Sequence, residues 1–322
     1  MRGERMKKVA GAAFIAMLLC AGTLFGAGQT DLQQPAGKTR EVAHAMGRTS
    51  VPARPVRVVV LTNEGTEALL ALGVTPVGAV RSWLGSPWYE HISDRMEGVT
   101  VVGTESGVNL ETVLKLQPDL ILGNKMRQEK IYNKLSAIAP TVFSETLRGA
   151  WQDNFMLYAK TLGLEEKGAE LIRQYDNRVA RLREDLGDKL GSTVSIVRFM
   201  QGRRVRMYYK DSFSGVILED IGLARPKSQN RNEFAEQVTR ERIPEMDADY
   251  LFYFTYDTGS GEGVKLEKEW LQDPLWKNLQ VVKHNRAFRV YDGTWNTSGG
   301  IISANTVVKE LRHYLLNDAG TE

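Results

Sequence analysis

The chain has 322 residues, of which 25% are charged and 42% are hydrophobic, and its mean hydropathy is −0.31. These values are typical of a soluble folded protein and exclude a multispan membrane protein or a disordered chain. The length leaves room for two lobes of roughly 130–150 residues each. The formal net charge of +3 is already present in Arg2, Arg5, Lys7 and Lys8 against Glu4. The remaining body is therefore close to neutral, and no nucleic-acid partner is expected.

Residues 1–28 have the pattern of a secretory signal. A basic start is followed by an uncharged apolar run over residues 9–28 that ends in small residues. The single cysteine, Cys20, stands before Ala21-Gly22 and resembles a bacterial lipoprotein cleavage site, although Leu19 occupies a position where a small residue is expected. We therefore predict lipidation at Cys20; cleavage after Ala27 or an uncleaved anchor are the alternatives. Each version exports the body, to the outer face of the cell membrane or to a periplasm.

Because Cys20 lies in this segment, the folded body has no cysteine. Disulfides, zinc-thiolate sites, iron–sulfur clusters and cysteine nucleophiles are excluded there.

Residues 29–54 are polar and unpatterned, which indicates a tether followed by an arm. From residue 55 the chain alternates between β-branched or apolar strands and helical stretches, as in βαβ units with a mostly parallel sheet. The predicted first lobe covers residues 55–163, with strands at 56–61, 77–80, 99–102, 119–122 and 141–144 and helices at 64–72, 88–96, 110–116, 128–138 and 151–162.

A long amphipathic helix follows the first lobe. Leu171, Tyr175, Val179, Leu182 and Leu186 recur at spacings of four, four, three and four residues, and no proline interrupts them. We assign residues 164–190 to this interlobe helix and residues 191–322 to a second α/β lobe. Its predicted strands are 194–200, 205–209, 250–255 and 288–291, and its predicted helices are 213–221, 239–246, 266–271 and 302–316.

The two lobes contain a similar short segment. At an offset of 130 residues, Glu111 falls on Glu241 and Asp119 on Asp249, each within a short helix that leads through the aspartate into a buried strand. This similarity suggests a duplicated lobe.

Several first-lobe segments together carry a family resemblance, namely residues 58–61, 64–74, 76–78, 109–111, 118–121 and 138–141. With them the chain resembles the substrate-binding proteins of iron-siderophore ABC importers, over roughly residues 50–318. Residues 123–127 and 194–226 are most similar to the lipoproteins of Gram-positive bacteria that bind hydroxamate or citrate-type ferric siderophores. The resemblance implies the class III periplasmic-binding-protein fold, in which two Rossmann-like lobes are joined by one long helix. It also implies a monomer that passes its ligand to a permease.

A ferric siderophore brings its iron already chelated, so the binding cleft needs cations, flat rings and hydrogen-bond donors rather than metal ligands. No resident cofactor is expected, because the ligand itself carries the iron. Residues 198–210 supply cations without any acid, and side-chain alternation places Arg204, Arg206 and Tyr208 on one strand face. We predict ligand contacts for Arg198, Arg206 and Tyr208, while Arg203 and Arg204 belong to a turn. A solvated charged face is the alternative.

Further candidates follow other strands, where ligands of open α/β sheets bind. Arg81 and Trp83 follow strand 77–80, and Lys125 and Arg127 follow strand 119–122. Surface charge at a helix start is the alternative for the last two. The second lobe offers aromatic candidates at or after the ends of its strands. Tyr253 and Tyr256 end strand 250–255, and Trp295 matches a ligand-facing aromatic position of the resembling proteins, with packing under a loop as its alternative.

In the resembling proteins one exposed glutamate on each lobe contacts the permease, and Glu111 and Glu241 match these positions. The alternative is two first-turn acids that the helix dipole favours.

Other chemistry is poorly supported. The four histidines are scattered, so they predict no metal site, and no G-x-S-x-G elbow is present. We therefore predict a binding protein with no catalytic residues. Haem or a corrinoid is the alternative ligand, with Met126 or a tyrosine as axial ligand, and an exported enzyme on the same fold is a more distant possibility.

Overall fold

A computed structural model describes residues 38–317 of the chain. The signal segment with Cys20 lies outside the described residues. None of the helices between residues 38 and 317 has both the length and the apolar character that a bilayer-spanning segment needs.

The first lobe contains a five-stranded parallel sheet with the strand order β5 (Thr100–Val101), β4 (Gly78–Ala79), β3 (Val58–Val60), β8 (Leu120–Asn124) and β9 (Thr141–Ser144). Its central strand β3 is a run of three fully buried valines, as expected for a strand covered on both faces. The strands of the lobe, including two hairpins, are β1 (Thr39–His44), β2 (Gly47–Pro52), β3 (Val58–Val60), β4 (Gly78–Ala79), β5 (Thr100–Val101), β6 (Gly103–Thr104), β7 (Gly107–Val108), β8 (Leu120–Asn124) and β9 (Thr141–Ser144). The helices are α1 (Asn63–Ala71), α2 (Glu90–Ser93), α3 (Leu110–Lys115), α4 (Lys125–Gln128), α5 (Tyr132–Ser136) and α6 (Trp151–Leu162).

One helix, α7 (Glu165–Leu186), connects the lobes and confirms the predicted interlobe helix. The second lobe has a five-stranded sheet with the order β12 (Ala235–Val238), β11 (Arg204–Tyr208), β10 (Val194–Met200), β13 (Tyr250–Tyr256) and β14 (Ala287–Arg289). Its strands are β10 (Val194–Met200), β11 (Arg204–Tyr208), β12 (Ala235–Val238), β13 (Tyr250–Tyr256) and β14 (Ala287–Arg289), and its helices are α8 (Phe213–Ile221), α9 (Glu262–Leu271), α10 (Pro274–Lys277), α11 (Gln280–Lys283) and α12 (Ile301–Leu316). Short 3-10 turns occur at Glu129–Ile131, Arg148–Ala150, Gly187–Gly191 and Arg240–Met246, and a π-helical turn at Gly293–Thr297.

The second sheet is mixed rather than mostly parallel. Strand β10 runs parallel to β13, but β11 lies between β10 and β12 and pairs antiparallel with both. The turn at residues 201–203 makes the pairing of β10 with β11 possible, because Gly202 and Arg203 both have positive φ angles, 72° and 54°. A tight turn of this kind joins neighbouring antiparallel strands without a crossover helix.

Part of the predicted tether and arm is an ordered hairpin. Strands β1 and β2 pair in antiparallel register, and the side chains of Val42 and Val51 are fully buried on one face. The hairpin also covers the outer edge of β9, where the amide of Ala45 donates to the carbonyl of Phe143 (3.0 Å) and the hydroxyl of Thr49 donates to the carbonyl of Thr141 (3.2 Å). Residues 39–52 therefore shield an edge strand that would otherwise expose unpaired backbone groups.

The offset of 130 residues corresponds to the same local architecture in both lobes. The carboxylate of Asp119, just before β8, accepts from the amides of Val56 (2.7 Å) and Arg57 (2.9 Å), just before β3. The carboxylate of Asp249, just before β13, accepts from the amide (2.7 Å) and hydroxyl (2.8 Å) of Thr193, just before β10. In each lobe the aspartate thus fixes the start of two neighbouring parallel strands.

Candidate ligand-binding cleft

A cavity of about 560 Å³ opens between the two lobes. It lies beyond the carboxyl ends of β8, β9, β10 and β13, where open α/β sheets bind ligands. Four arginines and several rings line it, and these side chains are Trp83, Arg127, Arg148, Arg198, Arg206, Phe213, Phe234 and Tyr256.

In the first lobe, the short helix α4 begins directly after β8 and places Arg127 on the cavity wall. The Nε atom of Arg127 lies 3.2 Å from Oε2 of Glu105, whose side chain is only 4% exposed. Oε1 of Glu105 accepts from the amide (2.9 Å) and the side chain (2.8 Å) of Asn63 at the start of α1. The Arg127 guanidinium lies 6.0 Å from the ring centre of Trp83. The Arg127 guanidinium, fixed by Glu105, and the indole ring of Trp83 are therefore neighbours on the cavity wall.

In the second lobe, Arg198 is nearly buried and lies at the back of the cleft. Its Nε and Nη2 atoms bind the carboxylate of Asp292 at 2.5 and 3.0 Å, and Nη1 lies 3.1 Å from the Tyr208 hydroxyl. The guanidinium also lies 4.7 Å from the ring centre of Tyr256. Burial opposes the charged form, but the charge of Asp292 and the hydrogen bonds outweigh burial and raise the pKa of Arg198 above its ordinary value.

Arg206 stands directly opposite Arg198 in the antiparallel register of β10 and β11. Like charges in facing positions are unfavourable, and Asp292 compensates only Arg198. No carboxylate within residues 38–317 forms an ion pair with Arg206. Arg148 is also poorly compensated, because Oδ2 of Asp211 is 3.8 Å away, and its guanidinium lies 4.2 Å from the ring centre of Phe234. The cleft therefore carries a positive charge that an anionic ligand can neutralise.

Two acids also line the cavity, Glu64 and Glu105, and Glu105 is the partner of Arg127. Glu64 is 5% exposed, and burial, reinforced by Glu105 and Glu67, raises its pKa well above the ordinary range. Burial therefore works against a negative charge on Glu64. With Arg127 paired to Glu105 and Arg198 paired to Asp292, the remaining arginines, Arg148 and Arg206, make the cleft positive.

The structure places the sequence-predicted residues unequally. Trp83, Arg127, Arg198 and Arg206 lie on the cavity wall, and their contact with a ligand stays a prediction. Lys125, two residues before Arg127, points to Glu145 instead (Nζ–Oε1 2.7 Å), and this carboxylate raises the lysine pKa. Arg81 is exposed and lies outside the cavity lining.

Three aromatic predictions disagree with the structure. Trp295 is fully buried, stacks on Phe252 at 4.6 Å between ring centres and donates from Nε1 to Glu310 (2.5 Å), so it is a packing residue. Tyr208 is 1% exposed and reaches the cleft only through its bond to Arg198. Tyr253 points to the opposite face of β13, where its ring meets Trp276 at 5.8 Å, because alternate residues of a strand face opposite sides.

The sequence analysis missed Arg148 as a site residue. It follows strand β9, just as Lys125 and Arg127 follow β8, so the strand-end rule would have identified it. Residues 296–299 were missed for a different reason. They line the cavity because the π-helical turn Gly293–Thr297 directs Trp295 inward and the next four residues toward the cleft. No composition signal marks such a turn.

The paired glutamates Glu111 and Glu241 are both exposed, each in the first turn of a short helix. Oε1 of Glu111 lies 2.6 Å from Nζ of Lys115. A hydrogen bond from Thr239 lowers the pKa of Glu241, so this carboxylate is ionised at neutral pH. Across residues 38–317, no group of three or more His, Cys, Asp or Glu side chains is placed to hold a metal ion.

Two α/β lobes, one connecting helix and a cleft between the lobes define a class III substrate-binding protein. A family model described as "Periplasmic binding protein" matches residues 58–292, and the chain belongs to this family.

Individual relatives are similar over most of their length. The chain is 50% identical to the "Probable siderophore-binding lipoprotein YfiY" of Bacillus subtilis, over 87% of this chain and 88% of the relative. It is 30% identical to the "Achromobactin-binding periplasmic protein" of Dickeya dadantii, over 80% and 85%. The crystal structure of Staphylococcus aureus SirA complexed with staphyloferrin B matches with a TM-score of 0.80 and 36% identity, over 86% of this chain and 98% of SirA.

Proposed function

We propose that this protein is an exported binding protein that captures a ferric siderophore, of the hydroxamate or citrate-hydroxamate type, and delivers it to an ABC permease for iron uptake. The observation that carries the proposal is the pair of cleft cations Arg148, which is poorly compensated, and Arg206, which has no carboxylate partner among residues 38–317, in a cavity that the rings of Trp83 and Tyr256 also line. Ferric complexes with free carboxylates are anionic and rich in oxygen acceptors. Arginine donates to such groups at two points, and a cavity of about 560 Å³ has the size of a small-molecule site.

The relatives support the same class of ligand. YfiY is named as a probable siderophore-binding lipoprotein, and SirA was crystallised with staphyloferrin B. Both cover nearly the whole folded body of this chain, so the similarity includes both walls of the cleft.

In this proposal the protein has no resident cofactor and catalyses no reaction. The iron arrives as cargo inside its chelator, and the cleft supplies guanidinium groups and rings rather than metal ligands. The protein acts as a monomer held at the membrane by a lipid on Cys20. Glu111 and Glu241, one on each lobe, contact the permease.

Titration of the purified protein with ferric complexes, followed by quenching of tryptophan fluorescence, tests this function. A citrate-hydroxamate complex such as ferric schizokinen should bind more tightly than neutral ferrichrome, and the intact complex should be recovered afterwards. Haem is the informative competitor, because Met126 lines the cavity and is 42% exposed. Tighter binding of haem, or recovery of a chemically altered siderophore, contradicts the proposal.

A further inference from the structure

Helix α12 of the second lobe begins without a cap of its own. Its N-cap residue is Gly300, which has no side chain to accept a hydrogen bond from the first turn. The first four amides of a helix have no partner within the helix, and a polar side chain normally accepts from one of them. The acceptor for α12 therefore has to come from another part of the chain.

Glu67 on α1 of the first lobe supplies that acceptor. Its side chain is fully buried, and Oε2 accepts from the amide of Ser303 at 2.8 Å while Oε1 accepts from the Ser303 hydroxyl at 2.5 Å. A carboxylate in this position also interacts favourably with the helix dipole. The cap of a second-lobe helix is thus a side chain of the first lobe.

Gly300 is what allows Glu67 to approach so closely. A Cβ atom at residue 300 would lie 2.6 Å from Cβ and 2.7 Å from Oε2 of Glu67. The φ angle of Gly300 is −110°, which any residue adopts. The requirement for glycine therefore comes from contact with Glu67 and not from backbone strain.

The same group of side chains reaches the cleft. The Ser303 hydroxyl lies 2.5 Å from the hydroxyl of Ser298, which is 2% exposed. Ser298 belongs to the segment 296–299 that lines the cavity. A chain of hydrogen bonds therefore runs from Glu67 in the first lobe through Ser303 to a wall of the cleft in the second lobe.

His91 completes the group. Its Nε2 atom lies 2.6 Å from Oε1 of Glu67 and 3.3 Å from the Ser303 hydroxyl. Glu, His and Ser in contact resemble a hydrolase triad, but the geometry excludes one. In a triad the acid and the serine contact opposite nitrogens of the imidazole, whereas here both contact Nε2, and Ser303 is fully buried. A structural role fits this arrangement.

We infer that Glu67 is a positioning residue for ligand binding. It caps α12 across the lobe boundary and thereby holds segment 296–299 on the cleft wall. The role of Glu67 in ligand binding rests on the proposed function. The cross-lobe cap does not, because it exists without any ligand.

Hydrogen exchange on the protein without ligand, combined with ferric siderophore titration, tests the inference in the variants Ser303→Ala and Thr306→Ala. Ser303→Ala removes the hydroxyl link at little change in volume. Thr306→Ala is the matched control, because its hydroxyl, on the same helix, donates to the carbonyl of Ile302 at 3.0 Å. Amides 296–300 should exchange about tenfold faster in Ser303→Ala, with a dissociation constant raised several-fold, while Thr306→Ala resembles the wild type.

Two further variants separate capping from general damage. Gly300→Ala should speed exchange at the same amides because its methyl group displaces Glu67, whereas Gly191→Ala, with no atom near the added methyl, should not. Glu67→Gln keeps one acceptor oxygen and should fall between the wild type and Glu67→Ala.

The outcomes distinguish this inference from the proposed function. Exchange at 296–300 that is equal in Ser303→Ala and Thr306→Ala overturns the cross-lobe cap. Faster exchange with an unchanged dissociation constant overturns the positioning role. If Ser303→Ala exchanges faster at these amides but the wild-type protein binds no siderophore, the proposed function is refuted and the cap remains supported.

Discussion

Asp292 holds Arg198 at two points, and it lies immediately before the π-helical turn that contributes the wall at residues 296–299. One ion pair therefore connects the central strand β10 to the segment that leads into α12. The side chain of Arg198 is 7% exposed and that of Asp292 is 0% exposed, so water does not easily replace either partner of the ion pair.

Replacing this carboxylate should be costly. Asp292→Asn leaves the buried Arg198 charge uncompensated and should lower the free energy of unfolding by about 3–5 kcal/mol. Urea denaturation followed by circular dichroism measures the change. The control is Asp211→Asn, since Asp211 is 51% exposed and 3.8 Å from Arg148, and it should cost less than about 1 kcal/mol. Equal effects of both substitutions contradict the interpretation of Asp292.

Arg206 should contribute to ligand affinity more than its neighbours in the same basic run. Arg206→Ala removes an uncompensated cleft cation and should weaken binding of a carboxylate-bearing ferric siderophore by about 10- to 100-fold, the effect of ~1.5–3 kcal/mol for one charge-assisted hydrogen bond. Arg203→Ala is the matched control, because the Arg203 side chain is 73% exposed and pairs with Glu269 outside the cleft. An unchanged dissociation constant in Arg206→Ala counts against a ligand contact.

The N-terminal hairpin should loosen in acid. Burial lowers the pKa of His44 below its ordinary value of about 6.5. Nδ1 of the ring accepts from the amides of Met46 and Phe143 (3.3 Å each), so the bound imidazole is neutral. As pH falls through about 6.5, the detached hairpin takes up the proton first, and the attached form loses stability.

Hydrogen exchange at amides 39–52, compared at pH 7.5 and pH 5, measures this loss. The wild type should exchange faster at pH 5, after correction for the intrinsic pH dependence of exchange. His44→Gln should lack this acid-dependent step, because its side chain does not titrate. The same step in His44→Gln contradicts the assignment to His44.

The two exposed glutamates should affect transport without affecting capture. The double variant Glu111→Ala, Glu241→Ala should bind a ferric siderophore as the wild type does, because both side chains lie outside the cavity lining. Cells that depend on this protein should take up less iron, measured with a ⁵⁵Fe-labelled complex. Reduced affinity of the purified double variant contradicts a role confined to permease contact.

The sequence predicted the fold well because its signals are local. The buried valines of β3 and the apolar spacing along α7 follow from periodicity, and the repeat at Asp119 and Asp249 follows from matching segments. The hairpin at residues 39–52 was not predicted, because its two strands bury only Val42 and Val51 and their alternation is otherwise polar. The antiparallel pairing of β10 with β11 depends on a turn in which Arg203 has a positive φ angle, which its residue type does not indicate.

The site was predicted only in part, for a similar reason. The strand-end rule identifies which residues follow a strand, and it led to Trp83 and Arg127 on the cavity wall. It does not decide where a long side chain turns, and Lys125 turns to Glu145. Whether an aromatic residue after a strand faces the cleft or the core depends on the local turn, which directs Trp295 inward.

The central claim is that both lobes contact one anionic iron chelate in the shared cleft. Hydrogen exchange of the wild type with and without a saturating citrate-hydroxamate ferric siderophore tests it most directly. Slower exchange should appear together at residues 125–128 of the first lobe and at residues 204–206 and 296–299 of the second. Slower exchange confined to one lobe, or located away from the cavity, contradicts the account.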